Sequence, residues 1–449
     1  MKKQVSAILA ASMAASMLVA CGGSTSSAAT STAPAESTST ASSEAAPAES
    51  TADAGQAADI TLWTYPIGKW GDSESVDALL ADFNAQYPDI HVTVEYLDYT
   101  NGDDQVNTAI EGGSAPDIVM EGPERLVANW GAKGLMADLS DLWTDDQKAD
   151  ISASVEAACK DSSGAYYEFP LCMTAHCMAI NKTVFEAAGA MQYVDAENHT
   201  WTTDNFLKAV QAVYDSGKTD VGAIYCSGQG GDQGTRALVT NVGGGTYANA
   251  EHTAYTYAST ENATGLSRLY NQQGINFDPS IVAGDEIQNF VNGTFQMAFC
   301  WNISQEVNNA DALSFDVLPM AFPSDSTPSL QGGIWGFGVF NNGDEAKIEA
   351  AKTFIKFMTQ DNDQYAKAVT ATSFAPVRDL EGFAPNEYFA EYSLLSPLMG
   401  DYYQITLGWT TARTEWWNML QRVMDTDGSV DAILAEMTAA QDASNAAAK

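Results

Sequence analysis

The hydrophobic positions change period along the chain, and the changes mark its elements. Ile60, Leu62 and Thr64 alternate with Thr61, Trp63 and Tyr65, a β-branched and aromatic run that suits a strand. Pro66 and Gly68 end it, leaving Tyr65 and Trp70 near its carboxyl end. Trp63 points opposite its strand neighbours and reads as core. Val76, Leu79, Leu80, Phe83 and Tyr87 then recur at helical spacing, with Asp72 or Ser73 as cap and Pro88 as stop. Ile90, Val92, Val94 and Tyr96 alternate again, and a short helix around Val106, Ala109 and Ile110 closes at Gly112-Gly113. Ala115–Met120 predicts a third strand, and Pro123 opens a helix carrying Leu126, Val127 and Trp130. This β-α-β-α-β-α order predicts a parallel sheet covered by helices, with a ligand expected outside the carboxyl ends of the strands. Those ends are Tyr65–Trp70, Asp98–Asp104 and Glu121–Glu124.

Beyond Trp143 the pattern is mixed. Tyr166–Ile180 reads as one or two strands interrupted by Pro170, and Lys182–Ala188 as a short helix stopped at Gly189. Thr202 or Thr203 caps a helix with Phe206, Leu207, Val210 and Val213 inward. Val221–Cys226 predicts a strand that runs into the glycine-rich stretch Ser227–Gly234. That stretch lacks the Gly-Lys-Ser/Thr ending of a phosphate loop and is either a binding-edge loop or an exposed connector. Phe295–Trp301, Phe315–Pro319 and Ile334–Phe340 look like strands. Asp344–Gln360 predicts an amphipathic helix with Ile348, Ala351, Phe354, Ile355 and Met358 on one stripe, and Ala412–Met424 and Val430–Ala440 two further helices.

Composition narrows the partners. A chain of 449 residues has room for two or three lobes, and a net charge of −38, from 58 acidic and 20 basic side chains, argues against nucleic acid. The amino terminus carries Met1-Lys2-Lys3, an apolar run from Val5 to Val19 and small residues before Cys21, the three regions of a secretory signal over residues 1–20. Leu18-Val19-Ala20-Cys21 is similar to the bacterial lipobox. That resemblance implies cleavage before Cys21 and a lipid anchor on its sulfur, which holds the protein on the extracytoplasmic face of the cell membrane, a Gram-positive surface being expected. Residues 21–58 are almost only Ser, Thr, Ala, Pro, Glu and Gly and predict a disordered tether with a reach on the order of 35 Å. Of the five other cysteines, Cys172 and Cys177 either bridge or lie buried as thiols, and the thiol reading is preferred because free Cys behaves as a small hydrophobe. His91, His176, His199 and His252 show no metal-ligand spacing, so neither a metal nor a cofactor is expected.

The mature chain resembles the family 1 extracellular solute-binding proteins, the carbohydrate-binding lipoproteins of ABC importers. The resemblance rests on the opening aromatic strand, Phe83–Val92, Gly112–Ile118, Asn181–Gly189, Thr200-Trp201 with Phe206, Phe290–Gly293 leading to Met297 and Trp301, Gly332-Gly333, and Ala375–Arg378, in that order. Departures occur at Glu168-Phe169-Pro170 and at Ala179-Ile180, positions in an expected pocket wall. The resemblance implies an α/β, two-lobed periplasmic-binding-protein-like fold of type II, with a cleft between lobes joined by hinge segments. It puts residues 59–160 and 314–370 in the first lobe and 161–313 and 371–449 in the second. It further implies a monomeric, non-enzymatic receptor that captures a sugar or oligosaccharide by hinge closure and delivers it to the permease.

Sugars present apolar C–H faces and a rim of hydroxyls, so their sites need aromatic platforms and a few fixed polar groups. The candidate platforms are Tyr65, Trp70, Trp301, Trp335 and Trp409, with Trp301 and Trp335 matching the family's ligand positions and Trp416 competing with Trp409. Glu121 either accepts from hydroxyls or caps the helix at Pro123, and Lys69 is either a hydroxyl donor or solvated. His176 and Arg378 complete the set. Two other readings are kept: a lipid-anchored glycoside hydrolase, which needs a pair of flanking carboxylates, and a receptor for a cationic or peptide-like solute.

Overall fold

The computed structural model describes residues 57–449 apart from 226 and 228–230. The signal, Cys21, the tether and Cys226 therefore lie outside the described residues. The chain divides into two units, Met1–Ala52 and Asp53–Lys449, and every described residue belongs to the second.

Among the described residues ten strands follow one another. They are β1 (Ala58–Thr64), β2 (Ile90–Tyr96), β3 (Ile118–Glu121), β4 (Phe169–Asn181), β5 (Gly222–Tyr225), β6 (Ile275–Asp278), β7 (Met297–Trp301), β8 (Val317–Met320), β9 (Gln331–Val339) and β10 (Ala375–Pro376). The expected opening is present: β1 lies between β2 and β3, parallel to both. Its alternation is kept, with Ile60, Leu62 and Thr64 buried and Thr61 and Trp63 half-buried; Trp63, expected in the core, lies on the opposite face of the strand and only packs against the core's edge. The helix Ser73–Gln86 crosses from β1 to β2, its first turn capped by the Asp72 carboxylate, which accepts from the Glu74 amide.

The parallel pattern stops there. β9 lies antiparallel to β3, and β4 antiparallel to β9, so the main sheet runs β10-β4-β9-β3-β1-β2 and is mixed. Every position of β9 is buried, so its sequence has no alternation from which a face or a direction could be read. Pro170 does not break β4; the register shifts between Pro170 and Cys172 and the strand runs on to Asn181, 13 residues in all. Its first part, through His176, pairs with β9 and β10, and its last part, Cys177–Asn181, pairs with β7 and β8. A separate parallel pair, β5 and β6, completes the strands.

Helices cover the sheet through the stripes their sequences display. In Glu345–Gln360 the buried positions include Ile348, Ala351, Phe354, Ile355 and Met358. Phe354 meets Phe83 edge-on at 5.2 Å and Phe337 of β9 at 5.7 Å, tying two helices to the sheet. Cys159, Cys172 and Cys177 are buried thiols. Among the described residues no helix is long and apolar enough to cross a membrane.

Candidate binding site

A cavity of ≈ 310 Å³ opens where the parallel strands end. The loops after β1 and β2 contribute Pro66, Gly68, Tyr99 and Thr100, and the end of β3 contributes Glu121, Glu124 and Arg125. Across from them stand His176 of β4, Trp335 of β9, and Gly231, Asp232, Gln233 and Arg236 at the start of the helix Asp232–Gly243. Tyr402, Gln404, Trp409 and Arg413 close it from the C-terminal segment.

The aromatic walls are fixed by packing. Trp335 stacks on Phe374 with ring centres 4.8 Å apart, and His176 meets it edge-on at 5.8 Å. A Cβ at Gly333 would collide with the Trp335 ring, so the indole keeps its place only because that position is glycine. Trp409 begins the helix Trp409–Val423, and the Arg236 guanidinium lies 4.5 Å from its ring centre, a cation–π contact.

A chain of ion pairs runs through these walls. Arg125 Nη1 lies 3.0 Å from Glu121 Oε1 and its Nε 2.6 Å from Asp103 Oδ1. Asp103 also receives the Tyr65 hydroxyl at 2.6 Å and faces Arg413 Nη1 at 3.8 Å. Arg413 Nε reaches Asp232 Oδ1 at 3.2 Å, and Asp232 pairs with Arg236 one turn along its helix. Arg236 further donates to the Tyr403 hydroxyl and to Gln331, and Tyr402 donates to Glu124 at 2.6 Å.

Burial and charge set the protonation of this chain. Burial alone would push the Asp103 carboxyl up, but the Arg125 guanidinium outweighs it and the group is held at about 2. Glu121 is fully buried, and desolvation with the nearby Glu124 and Asp103 charges pushes it up to about 8, against the opposing pull of Arg125. Burial, with the Arg236 charge, holds His176 down at about 4, so its ring is neutral at pH 7. Glu168 is buried with both carboxyl oxygens lacking partners, and burial, with the charges of Glu124 and Glu121, raises it well above the usual range. Among the described residues no three His, Cys, Asp or Glu side chains group as a metal site requires.

Of the residues expected at the site, the structure brings Glu121, His176, Trp335 and Trp409 together on the cavity. Tyr65 lies one layer behind, stacked on Tyr99 at 5.2 Å and bonded to Asp103. The other four expected residues do not line it. Trp70 is fully buried in the core, its Nε1 donating to the Ala368 carbonyl at 3.0 Å and its ring edge-on to Phe337. The 3-10 turn Gly68–Gly71 turns this indole inward, so closeness to a strand end did not decide its direction. Trp301 is likewise buried, bonded to the Tyr392 hydroxyl at 2.7 Å and packed on Phe290. Lys69 is exposed to solvent, and Arg378 is held by Asp150 at 2.8 Å and the Thr359 carbonyl at 2.7 Å. Between the two C-terminal candidates, Trp409 lines the cavity while Trp416 is in the core, bonded to Thr235.

Sequence reasoning did not single out Asp232, Arg236, Arg413, Tyr402 or Gln404. A signal exists for the arginines: each lies in an apolar helical run, Arg236 before Ala237-Leu238-Val239 and Arg413 between Ala412 and Trp416. A long cation in such a run needs a buried partner. The stretch Ser227–Gly234, left open between binding loop and connector, supplies Gly231, Asp232 and Gln233 to the cavity wall.

Residues 69–365 match the family described as bacterial extracellular solute-binding protein. Among solved structures, an ABC substrate-binding protein from Listeria monocytogenes in complex with cycloalternan has 19% identity, a TM-score of 0.68, and coverage of 86% of this chain and 98% of that one. The GacH receptor of Streptomyces glaucescens, solved unliganded and with acarbose, shares 16% identity over 85% of this chain and 97% of its own, with a TM-score of 0.68. A solute-binding protein from Thermotoga lettingae bound with α-D-tagatose shares 18% identity over 87% of this chain and 100% of its own, with a TM-score of 0.69. These likenesses show a two-lobed mixed α/β fold. No curated protein sequence matches the chain.

Proposed function

The chain belongs to the bacterial extracellular solute-binding proteins, and from that premise we propose that it is the substrate-binding receptor of an ABC importer. It takes a sugar or oligosaccharide in the cavity at the carboxyl ends of β1 and β3. Trp335 and Trp409 offer their rings to the sugar's C–H faces, and Glu121 and the neutral His176 are polar groups for its hydroxyls. The single observation that carries this reading is two indoles, each fixed by a packing partner, in one cavity of ligand size. The sugars named for the structures above support the ligand class.

In this reading the two lobes, residues 59–160 with 314–370 and residues 161–313 with 371–449, close over the ligand by hinge motion and present a surface to the permease. The receptor is monomeric and works without catalysis. Lipid on Cys21 and the tether to residue 58 hold it at the outer face of the membrane, within reach of the transporter.

A thermal-shift screen against mono- and oligosaccharides tests the proposal, because ligand at a hundred times its Kd adds about 2.7 kcal/mol of stability. A sugar that raises the melting temperature and is recovered intact is the expected result. Recovery of a cleaved sugar would move the protein to the hydrolases, and a shift only with cationic solutes would change the ligand class.

A further inference from the structure

Three arginines on one cavity would ordinarily point to an anionic ligand, but here their charges are already used. Arg125 faces the charges of Asp103 and Glu124; Arg413 faces Asp103 and Asp232; Arg236 pairs with Asp232. An incoming carboxylate or phosphate would have to displace one of these partners and leave it uncompensated in a buried wall, which is strongly unfavourable.

The polar atoms left over are of the opposite kind. Gln404 is 5% exposed and lines the cavity. Its Nε2 donates to the Gly332 carbonyl at 3.3 Å, which fixes the amide orientation, and its Oε1 is buried without a partner. A flipped amide would set oxygen against oxygen at Gly332. Gln305, on the helix Ile303–Asn309 at the same cavity, also has a buried Oε1 with no partner. A buried acceptor left unmade is costly, so both atoms call for a donor from whatever fills the space.

Building on the receptor reading above, we infer that the cavity selects an uncharged, hydroxyl-bearing sugar over its carboxylate or phosphate counterpart, and that the amide oxygen of Gln404 accepts one of its hydroxyls. The arginines then serve as fixed, charge-paired parts of the wall, and discrimination comes from carbonyl acceptors that only a donor can satisfy. A site built this way rejects an analogue lacking the hydroxyl, because the acceptor is left bare.

The test uses the mature protein with Gln404→Met and Gln404→Leu. Glucose, galactose and maltose are set beside glucuronate, galacturonate and glucose 6-phosphate in thermal-shift and calorimetric titrations. At least one neutral sugar is expected to bind, its charged counterpart at least about tenfold more weakly, and both variants are expected to lose at least about tenfold in affinity, the equivalent of one good hydrogen bond. Melting of the unliganded variants checks that they fold. Should they not fold, monodeoxy analogues of the bound sugar on the wild-type protein decide, since one of them must lose the same factor. A charged counterpart binding as tightly as the neutral sugar would overturn the selection. Unchanged affinity in folded variants, or monodeoxy analogues that all bind alike, would overturn the role of Gln404. Absence of binding by every neutral sugar would remove the receptor reading and this inference together.

Discussion

Asp103→Asn is the most informative single change in the ion-pair chain. The substitution keeps the shape and an acceptor for the Tyr65 hydroxyl, and removes the charge that faces Arg125 Nε at 2.6 Å and Nη2 at 3.2 Å. The carboxyl is held at about 2 against an ordinary 3.8, and its side chain is 19% exposed. At about 1.4 kcal/mol per pH unit, this displacement corresponds to about 2.5 kcal/mol of native-state stability at neutral pH. Breaking a buried pair outright costs more, about 3–5 kcal/mol. The smaller figure is expected here because Asp103 is one of the charges that keeps Glu121 protonated. With Asp103 neutral, Glu121 ionises more readily and takes over part of the compensation of Arg125. Urea unfolding of wild type and variant over a pH series is the assay. A carboxyl whose folded pKa is depressed stabilises the fold above its unfolded pKa and loses that contribution as pH falls through the folded value. The gap between the two proteins should therefore hold from pH 7 to about 4 and close toward pH 2. No measurable gap at pH 7, or one undiminished at pH 2, would refute the reasoning.

The remaining expectations concern the walls and the other buried acids. Trp70→Ala should lower stability by about 3–5 kcal/mol in urea titrations while leaving the sugar affinity of the folded protein close to wild type; Trp335→Ala should weaken that affinity at least about tenfold, read by calorimetry. Gly333→Ala, which drives a methyl into the Trp335 ring, should reduce sugar affinity in the same direction, and an affinity equal to wild type would show that the indole's seat on Phe374 is unimportant. Glu121 and Glu286, raised to about 8, and Glu306, raised to about 7, all by burial first, stabilise the fold fully below their unfolded value of 4.5 and lose that contribution as pH rises through 7 to 8. Unfolding free energy should thus decline from pH 5 to pH 9, and a flat or rising profile would contradict the buried-acid assignments.

Local periodicity made the first third of the fold legible. The alternation in β1 and β2, the cap at Asp72 and the proline at 123 each act within a few residues, and each appears where expected. Direction in the rest of the sheet depends on partners far along the chain. β9, buried at all its positions, carries no local mark of lying antiparallel between β3 and β4. The helix Asp232–Gly243 was hidden for another reason: its glycine-rich approach reads as loop, and Gly231, at a φ of 80°, turns the chain straight into the first turn. At the site, the family resemblance pointed to Trp335, which lines the cavity, and to Trp301, which is core, while closeness to a strand end selected Trp70, because residue type tells nothing of which way a turn rotates a ring. Gln404 lies in a segment with no periodicity, and only its neighbours reveal that one face of its amide is bare.

Because β4 is a single run of backbone whose first part pairs with β9 and β10 and whose last part pairs with β7 and β8, the chain cannot be divided there into self-sufficient fragments. Cutting it near His176 would deprive both sheet regions of a shared strand at once. The described part of the molecule should therefore melt in one cooperative step. Complementary fragments broken inside β4 should stay unfolded until mixed.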